Sequence, residues 1–141
     1  MLGPYPYRIV PPKTHLSVGE RELWERYVAK FPDMFEQVWF DVELGVPRNY
    51  DELRPEQYAR HHRYLGGYKI DVLCEKDGVK TIVEVKRQAT TKALGEIWCY
   101  DDLYKRFVDT ISPVKNLIVT DEEMPHIREI CEKAGVGLVV I

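Results

Sequence analysis

Two short apolar runs, 68–73 and 81–86, stand on either side of Lys76-Asp77-Gly78, and each holds an acid among its apolar residues. Such runs with an Asp-Gly between them predict a β-hairpin. The strand period of two then fixes which side chains point together. Glu84 and Lys86 fall on one face, with Val83, Val85 and Arg87 on the other. Pairing of the two strands brings Asp71 near Glu84. An inward carboxylate among β-branched neighbours is costly without a partner. Two carboxylates and a lysine on one sheet surface therefore point to a metal site with an ammonium group beside it.

The residue types define the chemistry. Mg²⁺ takes oxygen ligands and keeps several of its waters, so Asp71 and Glu84 suit it. A bound metal acidifies water and offsets charge on phosphate oxygens. Lys86 is placed to orient an attacking water or to act as a point charge on the transition state. The combination fits phosphodiester hydrolysis. A solvated Glu-x-Lys ion pair is the alternative reading of the same residues.

A chain of 141 residues is the size of one ordinary domain and buries a real core. Its three cysteines are scattered, with no zinc or iron–sulfur spacing. A reducing, cytoplasmic compartment is the expectation. The first seven residues do not read as a secretory leader, and no apolar run approaches a membrane span. The net charge of −3 argues against a protein that coats DNA by bulk positive charge. It leaves room for a local basic surface around acidic metal ligands.

Residues 1–16 are Pro-rich and read as an extended arm, with Tyr5 and Tyr7 available to pack it. Residues 17–141 read as one domain. Ser17 and Glu20 form a capping-box pattern, which predicts a helix over 17–31 that stops before Pro32. At about 100° per residue, Glu20 shares the apolar stripe of Trp24, Tyr27 and Phe31, so it is the acid of this helix that looks toward the sheet. Its role as a cap is the competing reading. A strand follows over 37–44. A basic insert occupies about 45–67, with a short helix over 55–65 that carries Arg60, His61, His62 and Arg63. The two adjacent histidines diverge on a helix and do not suit a shared metal. After the hairpin come a helix over 91–108 whose two apolar stripes predict that it is well covered, a strand over 114–120, a helix over 121–134 capped by Asp121 and ended by Gly135, and a strand over 136–141. The order α-β-β-β-α-β-α-β predicts an α/β fold, a mixed sheet flanked by helices.

This order and these residues resemble the PD-(D/E)XK nuclease superfamily, which has the restriction-endonuclease-like fold. The first-helix Glu, hairpin Asp and Glu-x-Lys of that family match Glu20, Asp71, Glu84 and Lys86. The Gly19-Glu-Arg-Glu-Leu23 start, the Glu-Val-Lys form, and the gap of 84 − 71 = 13 residues are most similar to archaeal Holliday-junction resolvases. The resemblance implies catalytic roles for these four residues and metal ligation by Asp71, Glu84, Glu20 and the backbone carbonyl of Val85. Glu96 and Tyr100 echo the Gln-x-x-x-Tyr motif of RecB-type members, with Glu in place of Gln. Glu96 also reads as a surface acid and Tyr100 as a core residue.

The implied activity is that of a Mg²⁺- or Mn²⁺-dependent DNA endonuclease, with branched DNA among its candidate substrates. Arg60, Arg63, Lys69, Arg87, Gln88 and Lys92 are the expected nucleic-acid contacts. DNA is the expected partner and a homodimer an expected assembly. The alternative is a catalytically inactive nuclease-like subunit that binds DNA or serves a structural role. The Pro-rich arm and the basic insert depart from simple resolvases.

Overall fold

The computed structural model describes residues 1–44 and 68–141, and the sequence readings that fall on 45–67, Arg60 and Arg63 included, lie outside it. Among the described residues, six strands form one mixed sheet in sequence order. They are β1 (Leu2–Pro6), β2 (Gln37–Glu43), β3 (Lys69–Lys76), β4 (Val79–Ala89), β5 (Val114–Glu123) and β6 (Val136–Val140). The first four run antiparallel to one another, and β5 and β6 run parallel to β4. Helix α1 (Val18–Lys30) covers one face; α2 (Thr91–Phe107) and α3 (Ile127–Ala134) cover the other. The α/β class and the flanked mixed sheet agree with the sequence, and β1 is an additional strand at the sheet edge. Pro4 and Pro6 suit an edge, where a missing N–H breaks no ladder bond. Among the described residues no helix is long and apolar enough to cross a membrane.

Local chemistry sets the main elements. Ser17 and Glu20 form the full reciprocal capping box at the start of α1, and Phe31 caps its end. Trp24 stacks on Tyr27 at 5.3 Å, and both are buried under the sheet. Tyr7 packs edge-on to Trp24, and its hydroxyl donates to the Phe31 carbonyl at 2.9 Å, which ties the N-terminal segment to the end of α1. The β3–β4 turn places Asp77 at φ 51° and Gly78 at φ 78°, two left-handed residues in a row, as a two-residue type I′ turn requires.

Two sequence expectations need correction. Asp121 does not cap a helix: β5 runs on to Glu123, and α3 begins only at Ile127. The reason is tertiary. β4 extends to Ala89 and offers ladder partners as far as Glu123, and that pairing outweighs a local capping preference. Likewise, α2 is not covered on both apolar stripes by the described residues. Ala93, Ile97, Tyr100, Leu103 and Tyr104 are buried, whereas Trp98 is 63% exposed.

One irregularity shapes the centre of the sheet. Along β2, Val38 and Phe40 pack toward α1, while Val42 and Leu44 pack on the opposite face. Strict alternation would keep all four on one side. The switch falls at Asp41, whose φ is 53°. An aspartate tolerates the left-handed region better than most residues, at a cost of about 1–3 kcal/mol. The neighbouring strand switches at the same level: Val72 and Cys74 face α1, and Ile70 faces α2. Asp71 stands at that switch.

Candidate active site

The site lies where the sheet opens. The β3–β4 ladder runs from Lys76 opposite Val79 to Val72 opposite Val83. One step further, where Asp71 would face Glu84, the Asp71 carboxylate takes over as acceptor: its Oδ2 receives the Val85 N–H at 3.2 Å. The two acids thus stand at a parting of two central strands. They line a cleft of about 450 Å³ together with His15, Glu20, Lys69, Lys86, Glu96 and Tyr100.

Glu84 is only 1% exposed. Its Oε1 lies 3.3 Å from Lys86 Nζ, and its buried Oε2 has no hydrogen-bond partner. Burial first, then the neighbouring Asp71, push its carboxyl well above the ordinary carboxylate range. Glu96 adds to that rise, and Lys86 opposes it. Lys86 also lies 3.3 Å from Glu96 Oε2. Burial pulls the lysine down, but Glu84 and Glu96 outweigh it, so its ammonium form is favoured. Burial and the same acids raise the Tyr100 hydroxyl.

Glu20 serves two purposes at one position. Its Oε2 accepts the Ser17 N–H at 3.1 Å, and the side chain also lines the cleft. The capping and cleft-facing readings are therefore both realised. Glu96, read from sequence as a surface acid, instead sits in the cleft on Lys86, because α2 crosses β4 with its Glu96–Tyr100 side toward the lysine. Lys69 is at the cleft as well. Arg87 is not: it points to the α1 face and pairs with Asp121 at 2.5 Å, and Asp121 also holds Arg26. A Cβ on Gly19 would come within 2.6 Å of Arg87 Nη1, so the glycine gives the guanidinium its path over the first turn of α1. Gln88 is exposed, and Lys92 reaches Glu96 at 3.8 Å.

Two residues of the site went unread in the sequence. His15 Nε2 lies 2.7 Å from Asp71 Oδ1, and its Nδ1 is held by Asp41 Oδ1. The bond to Asp71 is the largest cause that raises the His15 pKa; burial opposes it, and Asp41 adds to the rise. A lone histidine in a loop carries no sequence signal. Asp41 does carry one, an acid breaking an apolar strand, which is the signature that marked Asp71.

Among the described residues, no three His, Cys, Asp or Glu side chains form a ready-made metal cage. The donor set nevertheless fits a hard divalent cation. Mg²⁺ is commonly held by one or two carboxylates, with water and substrate phosphate supplying the rest. The buried, unpartnered Oε2 of Glu84 is the kind of atom that a cation would satisfy.

No protein-family model matches the chain, and no curated protein matches its sequence. Two solved structures share the fold. A repair endonuclease from Pyrococcus abyssi superposes with a TM-score of 0.55 at 16% identity, over 93% of this chain and 49% of the other. The EndoMS protein, solved in complex with double-stranded DNA, superposes with a TM-score of 0.52 at 15% identity, over 95% of this chain and 49% of the other. The chain spans about half the length of these two proteins, and its fold is the one they contain in that half.

Proposed function

We propose that this chain is a metal-dependent DNA endonuclease of the PD-(D/E)XK type, hydrolysing phosphodiester bonds with Mg²⁺ or Mn²⁺. The observation that carries the reading is the meeting of Asp71, Glu84 and Lys86 in one cleft at the parting of β3 and β4. Asp71, Glu84 and the Val85 carbonyl would hold the cation, with Glu20 completing the set directly or through water. A bound cation supplies a Lewis acid for the phosphate oxygens and acidifies water. Lys86 holds a compact positive charge beside Glu84, where it orients the attacking water and offsets charge that develops on the phosphate. Glu96 keeps that ammonium in place from the α2 side. Lys69, at the cleft, contacts a backbone phosphate.

Duplex or branched DNA is the proposed substrate, and the neighbour solved with double-stranded DNA supports the first of these. A homodimer would bring two clefts to one duplex. Free Cys74, Cys99 and Cys131 suit a reducing, intracellular setting. The test is cleavage of plasmid and four-way-junction DNA in Mg²⁺. Glu84→Ala and Lys86→Ala are each expected to lose at least about 100-fold in rate. Equal rates in the variants and the parent protein would overturn the assignment.

A further inference from the structure

Asp41 and Asp71 occupy the same level of adjacent antiparallel strands, between the pairs Phe40–Val72 and Val42–Ile70. Like charges directly opposite one another destabilise a sheet. Here the imidazole of His15 stands against both. Its Nδ1 meets Asp41 Oδ1, its Nε2 meets Asp71 Oδ1 at 2.7 Å, and its backbone N–H donates to Asp41 Oδ1 at 3.1 Å. The segment that delivers His15 is anchored independently. Arg21 of α1 donates to the carbonyls of Pro11 and Val10 at 2.5 and 3.2 Å, and Leu16 is buried. Asp71 is consequently gripped on both oxygens, Oδ1 by His15 and Oδ2 by the Val85 N–H.

We propose that Asp41 and His15 form a positioning pair that holds the Asp71 carboxylate in its cation-facing orientation. Asp41 touches no reacting atom in this scheme, yet it sets the divalent-metal affinity of the cleft. The inference rests on the metal-site reading given above. Its logic is that of outer-shell groups in metal centres. Ligating carboxylates and imidazoles are themselves hydrogen-bonded, and loss of such a partner weakens metal affinity by about 10- to 100-fold. It also accounts for the backbone at Asp41. A left-handed residue inside a strand, with the side-chain alternation of β2 reversed around it, brings this carboxylate to His15. Strained backbone of this kind gathers at functional sites.

The experiment is calorimetric titration of the whole chain with Mn²⁺. Asp41→Asn and His15→Gln are each expected to bind Mn²⁺ about 10- to 100-fold more weakly. The double variant should be no weaker than the weaker single one, because both changes remove the same grip on Asp71. His15 lies outside the sheet, so His15→Gln keeps the test valid even if Asp41→Asn folds poorly. Unchanged affinity in His15→Gln, or losses that simply add in the double variant, would overturn the pair. So would nitrogen hyperfine coupling from His15 to bound Mn²⁺, which would make the imidazole a ligand instead of a positioning group. Asp71→Asn separates this inference from its parent. If Asp71→Asn also leaves Mn²⁺ affinity unchanged, the metal-site reading fails and takes the pair with it. If Asp71→Asn abolishes binding while His15→Gln does not alter it, only the pair fails.

Discussion

Glu20 is asked to cap a helix and to face a cleft with the same carboxylate, and the two demands separate by mutation. Glu20→Gln keeps an acceptor for the Ser17 N–H, since glutamine serves in a capping box as glutamate does. Its thermal stability should stay within about 0.5 kcal/mol of the parent, while cleavage rate falls. A loss of stability with no loss of rate would assign the residue to the cap alone. Glu84 poses the opposite problem, because it is nearly fully buried with one oxygen unpartnered. Burial and Asp71 raise its folded pKa above the unfolded value. Its contribution to stability is therefore fully present below the unfolded carboxylate pKa of about 4.3 and is lost as pH rises toward the folded value. Metal-free protein should lose stability as pH climbs above that point. Glu84→Gln should flatten the profile and gain about 1–2 kcal/mol at neutral pH, as destabilised functional sites commonly do when neutralised. Denaturant melts across pH, with and without Mg²⁺, check this. A steeper profile in the variant would contradict it.

At the scale of elements, the hairpin and α1 were legible because their signals are local. Asp77-Gly78 demands a turn with two left-handed residues, and Ser17 with Glu20 demands a helix start. Gly78→Ala should accordingly cost about 1 kcal/mol in a denaturant melt, although a Cβ there meets nothing within 4 Å. A neutral substitution would mean that the turn does not hold this conformation. What stayed hidden depends on partners distant in sequence. The extension of β5 past Asp121 follows from the length of β4, and the inward turn of Glu96 follows from how α2 crosses the sheet. His15 enters the site only because Arg21 pins the segment before it. Alternation assigned Glu84 and Lys86 to the right face of β4. The same alternation breaks at Asp41 and Asp71, where a backbone irregularity reverses the faces of two strands together.

At the scale of the molecule, the fold joins two arrangements. Four antiparallel strands supply a hairpin whose ladder ends at Val72 and Val83, and two parallel crossovers bring α2 and α3 over the other face. The cleft sits at their junction, so α1, α2, β3 and β4 each contribute side chains to it. With a net charge of −3, the proposed DNA binding would draw on local basic groups and a bound cation, not on bulk charge. Asp71 and Glu84 are proposed to hold one divalent cation at that junction. Anomalous diffraction from a crystal of the whole chain soaked in Mn²⁺ tests it most directly. A single strong peak is expected within about 2.0–2.4 Å of carboxylate oxygens from both Asp71 and Glu84, lost in Glu84→Ala. A peak bound only elsewhere, or none at this cleft at saturating Mn²⁺, would contradict it.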